Sequence, residues 1–366
     1  MSDFIKIICC IFLLMERLNF MNSKTDILSL NLKELSDFVL ELGEKPFRAK
    51  QVFKWLHQKG VSSFDEMTDI SKEFRHKLNE NSKIKNVHMV KKFVSKEDNT
   101  TKYLFQIENN YIIESVLMKY EYGNAVCVSS QAGCAMGCSF CASTIDGLER
   151  NLTAGEILSQ VYEIGKDLKE RISNVVIMGS GEPLHNFNNT IRFIEIINSK
   201  DGFNIGQRHI TLSTCGIVEK IKKLKEMKLQ ITLAVSLHAP DDKIRKMIMP
   251  VAERYSIDEL ISAAKDYADF TKRRVTFEYA LIKGLNDSVE CAIELAGRLK
   301  GSLCHVNLIP VNDVKERNYI KSSEKTINDF CETLKQLSVE ATVRRKLGSD
   351  INASCGQLRK QYIGNR

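Results

Sequence analysis

From residue 125 to residue 346 short apolar runs alternate with amphipathic stretches, and no other feature restricts the fold as tightly. Runs at 125–128, 174–178, 209–213, 230–236, 274–281, 303–309 and 340–345 read as strands. Between them, helical periodicity fills 153–168, 189–198, 217–227, 256–269, 287–299 and 323–337. Thr153-x-x-Glu156 is a capping box, and Ile157, Val161, Ile164 and Leu168 line the apolar face of the helix it opens. Repeated βα units force parallel strands joined by right-handed crossovers. The expected fold is therefore α/β, an open or closed barrel, with six units after the cysteine loop rather than eight.

Polar and glycine-containing motifs follow the strands. A cysteine-rich stretch, Cys127 to Cys141, follows the first, and Gly179-Ser-Gly-Glu-Pro-Leu184 follows the second. Ser213 ends the third, Ser236-Leu237-His238 ends the fourth, and Asn312 lies just past the sixth. In βα barrels these C-terminal strand ends share one face, where active sites form, so the set reads as one pocket. A lone G-x-G usually marks a strand-end turn, but in this company Gly179-x-Gly181 reads as close approach of backbone to a ligand. Glu182 offers a carboxylate that an ammonium group can donate to.

Cys134, Cys138 and Cys141 stand as C-x3-C-x2-C, with Phe140 before the last. Three thiolates hold three irons of a [4Fe–4S] cube and leave the fourth iron open to a small molecule. The alternative, a zinc knuckle, wants four ligands in two spaced pairs, and the sequence supplies no second pair.

The triplet resembles the radical S-adenosylmethionine signature. Together with Gln131-Ala-Gly-Cys134, Gly179 to Leu184, Leu212-Ser-Thr-Cys-Gly216, Ser236 to His238 and Ala353-Ser-Cys-Gly-Gln-Leu358, the chain resembles the RlmN/Cfr family of RNA adenine methyltransferases from about Ser29 onward. The resemblance implies an α/β fold, a partial TIM-like (β/α)6 radical SAM barrel with a small N-terminal helical domain and a β-hairpin extension. It implies one cluster on Cys134, Cys138 and Cys141, and S-adenosylmethionine held by Gly181, Glu182, Ser213, Ser236, Leu237, His238 and Asn312. Two molecules are used per turnover, one as methyl donor and one as radical source. Cys355 then matches the methyl carrier, Glu114 the proton acceptor, and Cys127 the cysteine that pairs transiently with Cys355. The implied route runs from S-methylation of Cys355 through hydrogen abstraction and addition to adenine, to a covalent protein–RNA intermediate that Glu114 and Cys127 resolve. Ser180 replaces a methionine common in the family, His185 an aliphatic residue, and Asn352 an aspartate.

Implied partners are 23S rRNA near the peptidyl-transferase centre, tRNA beside the anticodon, and an electron donor such as flavodoxin or ferredoxin. The expected enzyme is a cytoplasmic monomer with no membrane association. Gly181-Glu-Pro-Leu184 and the full helical module favour methylation at carbon 2 of adenine (RlmN type) over carbon 8 (Cfr type). A catalytically silent rRNA-binding factor is the third reading, opposed by the retention of all six cysteine and glutamate positions.

The rest of the chain divides around the barrel. Residues 1–20 carry an apolar run, Ile7 to Met15, too short to span a bilayer; they are expected to be a translation-start extension or a short anchor. Residues 21–84 read as a basic helical module suited to RNA contact, with Ala49, Val52, Phe53 and Leu56 at helical spacing. Residues 85–124 read as a β-hairpin linker, 125–346 as the barrel, and 347–366 as the loop and tail that carry Cys355. The net charge of +7 suits a polyanionic partner without proving one. Eleven cysteines in a long, core-rich chain fit a reducing compartment better than a disulfide scaffold. Cys215, Cys291, Cys304 and Cys331 read as packing residues.

Overall fold

The computed structural model describes residues 24–312, 314 and 316–358. The expectations for residues 1–20, and for the tail beyond Leu358, lie outside them. Five short elements precede the main sheet. Strand β1 (Thr25–Asp26) pairs in parallel with β2 (Ser82–Lys83), and helices α1 (Leu32–Glu41), α2 (Phe47–His57) and α3 (Lys72–Asn81) lie between them. Asn31 caps α1 in a reciprocal box with Glu34, and Ser71 caps α3. The predicted stripe of α2 is buried, as are Phe74 and Leu78 of α3.

One ten-stranded sheet organises the remainder. Its antiparallel part is β3 (His88–Val94), β4 (Thr100–Gln106), β5 (Ile112–Tyr120) and β6 (Gly123–Cys127). From β6 onward every neighbour is parallel: β9 (Ile172–Ile177), β10 (Ile210–Thr214), β11 (Thr232–Ser236), β12 (Val275–Leu281), β13 (Cys304–Pro310) and β14 (Ala341–Val343). The connecting helices are α4 (Ala154–Leu168), α5 (Phe187–Asn198), α6 (Val218–Glu226), α7 (Asp242–Ile248), α8 (Ile257–Thr271), α9 (Val289–Leu299) and α10 (Glu324–Gln336). The expected α/β architecture is present, and it is open, since the edge strands β3 and β14 do not pair with each other. The β3–β5 segment continues the same sheet through β5–β6 pairing, which joins hairpin to barrel by main-chain hydrogen bonds.

Two elements escaped the periodicity. A short hairpin of β7 (Gln131–Gly133) and β8 (Leu148–Asn151) brackets the three cysteines, and α7 inserts after the fourth parallel strand. Strands of three and four residues and a seven-residue helix carry too few apolar positions to register as periodic.

The helical module docks on α4 and α5. Asp26 accepts hydrogen bonds from Ser29 and Thr153, the Gly155 N–H donates to Ser29, and Arg192 pairs with Glu34. His57 is fully buried, bonded through Nδ1 to the Tyr162 hydroxyl at 2.9 Å, and burial pushes its pKa down to about 3. The Thr153 capping box forms, and Glu156 also takes a two-pronged bond from Arg150 at 2.6 and 2.8 Å.

Candidate active site

The C-terminal ends of the parallel strands surround a cavity of about 170 Å³. Cys134, Cys138, Cys141, Gly181, Glu182, Ser213, Ser236, His238, Asn312 and Cys355 line it together. Leu237 does not; its side chain is buried in the main apolar core, so only its backbone belongs to the strand end. A second cavity, of about 90 Å³, holds Cys127 and Cys355, and shares Met178, Ile309, Val311, Asn312 and Arg344 with the first. Glu114 is outside both. It is buried on β5, beside Lys102, in a small separate cavity with Ser143, Asp146 and Glu149.

The cysteine loop is held by bonds within itself and to Ile248 O, which accepts from Ser139 N–H at 2.9 Å. Cys134 N–H donates to Gly147 O at 2.9 Å, Cys141 N–H to Cys138 O at 3.2 Å, and the Thr144 hydroxyl to the Cys138 and Cys141 carbonyls. Gly133 has φ +73°, and a Cβ there would sit 2.0 Å from Gly147 O, so only glycine closes this turn. Burial, then mutual repulsion, pushes the Cys138 thiol up, and burial pushes Cys134 up to about 12 and raises Cys141. Three thiols that repel one another's ionisation fit a group that brings positive charge among them.

Glu182 is buried with both carboxylate oxygens engaged, Oε2 by Cys215 N–H at 2.7 Å and Oε1 by Leu184 N–H at 2.9 Å. Burial raises its pKa, and these bonds oppose the rise. It therefore staples two strand-end loops while facing the cavity. The glycines beside it are needed for a different reason than ligand contact. A Cβ at Gly179 would lie 2.7 Å from Ser129 N, and one at Gly181 2.6 Å from the Gln131 Cβ, so this loop presses against the chain leaving β6. His238 is neutral, its pKa lowered to about 3 by burial and then by the Arg245 charge. Nδ1 accepts from Ala280 N–H at 2.9 Å, which leaves the proton on Nε2, and the ring packs edge-on against Phe140 at 4.9 Å. Serine hydroxyls, a carboxylate and an amide set among Met136, Met178, Met249 and Val311 suit a ligand with both a polar amino-acid end and an aromatic end.

Sequence reasoning missed the support. Arg245 is fully buried on α7, its guanidinium donating to the Cys215, Leu237 and Tyr255 carbonyls. Cys215, read as packing, lines the cavity, and its backbone joins Glu182 to Arg245. Glu278, raised by burial, accepts from Asn307 at 2.8 Å and faces Arg344 at 3.9 Å. Arg344 lines both cavities, its charge favoured first by Cys355. Its place in the basic run Arg344-Arg345-Lys346 was the one signal in the sequence. Other basic residues are spent on ion pairs, Lys92 with Asp167 and Lys225 with Asp266.

Cys355 is half-buried, and distant residues hold its loop. Asn312 Nδ2 donates to Cys355 O at 3.0 Å, and Ala142 N–H, just past Cys141, donates to Gly356 O at 2.8 Å. Cys127 is buried on β6, and burial, then Cys355, pushes its thiol up to about 12.

An open βα barrel with three cysteines on its first strand-end loop defines a radical SAM enzyme, and the Radical SAM superfamily profile matches residues 128–296. The profile of the ribosomal RNA large subunit methyltransferase N-terminal domain matches residues 25–84. The chain is 56% identical over 340 residues to a probable dual-specificity RNA methyltransferase RlmN of Clostridium novyi, covering 93% of this chain and 99% of that one. It is also 56% identical over 342 residues to the protein of that name from Alkaliphilus oremlandii, covering 93% and 99%. A crystal structure of a radical SAM methyltransferase from Sphaerobacter thermophilus superposes with a TM-score of 0.88 at 42% identity, covering 92% of this chain and 99% of that one. The chain belongs to the RlmN family of radical SAM RNA methyltransferases. Membership implies one [4Fe–4S] cluster and S-adenosylmethionine, which decides against the zinc alternative. Among the described residues no helix is long and apolar enough to cross a membrane.

Proposed function

We propose that this enzyme methylates carbon 2 of adenine in 23S rRNA, near the peptidyl-transferase centre, and in tRNA beside the anticodon. The observation that carries the reading is the place of Cys355. It lines both the cavity of the three cysteines and the cavity of Cys127, its loop bonded to the cysteine loop through Gly356 O and Ala142 N–H. A methyl carrier has to face its donor on one side and its resolving thiol on the other. When bound, the cluster and S-adenosylmethionine supply an electron, a methyl group and a hydrogen-abstracting radical.

Cys134, Cys138 and Cys141 hold the cluster in this reading. Gly181, Glu182, Ser213, Ser236, His238 and Asn312, with the backbone of Leu237, hold S-adenosylmethionine. The Cys355 thiolate takes the methyl by displacement, since an aromatic ring carbon is a poor nucleophile. Glu114 accepts the proton from the ring carbon joined to the Cys355 methylene; that C–H electron pair restores the ring once the adduct's unpaired electron has left, which the cluster would take back. Cys127 attacks the Cys355 sulfur: an S–S bond forms, the S–C bond breaks, and its electron pair goes to the carbon, which takes up a proton. An external dithiol then reduces the disulfide. The substrate adenine has to be unstacked to enter. Lys321, Arg345 and Lys346 line the second cavity and are exposed, placed for phosphate contact at its mouth. A flavodoxin or ferredoxin as electron donor, a monomeric state and a cytoplasmic location complete the reading.

The test is anaerobic turnover with S-adenosylmethionine, a reductant and unmethylated 23S rRNA or tRNA, followed by nucleoside mass spectrometry. 2-Methyladenosine is the expected product. 8-Methyladenosine would move the enzyme to carbon-8 chemistry, and no product from cluster-loaded protein would favour the silent rRNA-binding factor.

A further inference from the structure

Lys102 is a lysine where packing alone would place a methionine. It lies on β4, its side chain 4% exposed, with Nζ 3.6 Å from Oε1 of Glu114, itself 3% exposed. The same Nζ donates to the Asn352 carbonyl at 3.2 Å and sits 5.3 Å from the centre of the Phe93 ring. The register explains the meeting. Lys102 is opposite Val116 and Leu104 is opposite Glu114, so lysine and glutamate are diagonal neighbours on one face of the sheet. Cys127 faces Val116 from the other side, on that same face. An ammonium is costly to bury unless charge and hydrogen bonds compensate it. Its two oxygen partners here are a carboxylate 12 residues along the hairpin and a main-chain carbonyl 250 residues away.

Those partners are not equivalent in function. On the mechanism proposed above, Glu114 takes the proton from the covalent RNA intermediate, and Asn352 lies three residues before the methyl carrier. We propose that Lys102 is a positioning residue that keeps the Glu114 carboxylate ionised and ties its place to the Cys355 loop. This rests on the proposed roles of Glu114 and Cys355. Among the described residues the titratable groups facing Glu114 include Lys102 from β4, Asp146 and Glu149 across the small cavity, and Cys127 one strand away. Two carboxylates and a thiol disfavour a third negative charge, and the ammonium favours it. The step it serves is one proton transfer. The ring C–H bond breaks, its electron pair stays in the ring, and the proton passes to a Glu114 oxygen, which has to be unprotonated beforehand.

Lys102→Met separates this role from general support, because S-methylation of Cys355 precedes any work by Glu114. Intact-protein mass spectrometry is expected to show Cys355 still methylated, slowed severalfold at most through the lost bond to Asn352 O and equally at every pH. Decay of the covalent protein–RNA adduct in single turnover is expected to slow about tenfold or more at neutral pH, and to recover as pH rises. Lys102→Arg, which retains the charge, is expected to restore part of the neutral-pH rate. Decay with the wild-type pH profile, or slowed equally at every pH, would overturn the proposal. If Lys102→Met fails to load its cluster, infrared difference spectra of the wild-type protein decide, with the Glu114 band assigned by Glu114→Gln. An ionised Glu114 at pH 6 supports the pairing and a protonated one overturns it. Wild-type protein that forms neither adduct nor methyladenosine would instead remove the reading on which the proposal stands.

Discussion

The loop of Cys134, Cys138 and Cys141 and the loop of Cys355 meet at one cavity, yet they draw on different supports. The first combines its own neighbourhood, the β7–β8 hairpin, Gly147 O and the Thr144 hydroxyl, with bonds from Ser139 to Ile248 O and the Tyr319 hydroxyl. The second is held from across the chain. Asp350 accepts from the Ser95 hydroxyl and the Lys96 N–H, each at 2.8 Å, and Asp98 accepts from Gly348 N–H at 2.8 Å. Lys102 reaches Asn352, and Asn312 reaches Cys355. The β3–β4 turn thus grips the residues just before Cys355. A part whose proposed role is to hold a cofactor draws much of its support from its own turn, whereas the part proposed to face donor, substrate and resolving thiol takes its position from the elements carrying them.

The sharpest break of the local anchor is Cys134→Ala, which leaves two thiols. Anaerobic iron and sulfide analysis should show the cluster lost, the visible absorbance gone and no methylated RNA, while the folded protein still melts cooperatively. Next in size is Cys127→Ala, on the Cys355 side. Product should fall on the order of a hundredfold, and a gel should show RNA-shifted protein, because the thiol that releases Cys355 is missing.

A smaller effect is expected from loosening the clamp. Asp98→Ala combined with Asp350→Ala should leave the iron content unchanged and slow Cys355 S-methylation by about tenfold, since an ångström of misplacement at a reacting atom is costly. Equal loss of iron and methylation would show that the two loops are one unit, and would dissolve the contrast.

The smallest effect distinguishes the anchors by acid. His57 and His238 are neutral in the fold with pKa values lowered to about 3, against an ordinary 6.5. Their contribution is complete above about pH 6.5 and falls by about 1.4 kcal/mol per unit per histidine below it. Burial pushes Asp98 up, but bonds from Thr100, Gly348 and Ser95 outweigh it, so its pKa is held low; Asp350 is held low by Lys96 and Ser95. Depressed carboxylates stabilise above their unfolded value, near 4, and lose that contribution as pH falls through the folded value. Melting temperature followed from pH 7.5 to 3 should therefore fall first through the histidines, and Asp98→Asn should flatten only the most acidic part.

Much of this was legible in order along the chain. Strand–helix alternation gave the parallel sheet, because strand and helix periods are set by local geometry and one buried face. The capping box at Thr153, the stripe of α2 and the three-cysteine spacing are likewise local patterns, readable within a few residues. The glycines of Gly179-x-Gly181 were noticed for the cavity they line, but they also press on the chain of Val128 to Gln131, some fifty residues earlier. No window of sequence contains both.

By itself, then, the sequence determined the fold class, the family and which side chains carry reactive atoms, since each follows from short-range pattern or from motifs at fixed spacing. Only the tertiary structure decided which of them share a cavity. It drew Leu237 into the core, set Glu114 apart from both main cavities beside Lys102, and brought Arg245, Glu278 and Arg344 to the strand ends. Those placements depend on register, on which face a strand turns inward, and on pairing between charges that burial would otherwise forbid. They arise from contacts between residues far apart in the chain, and they form only when the whole sheet does.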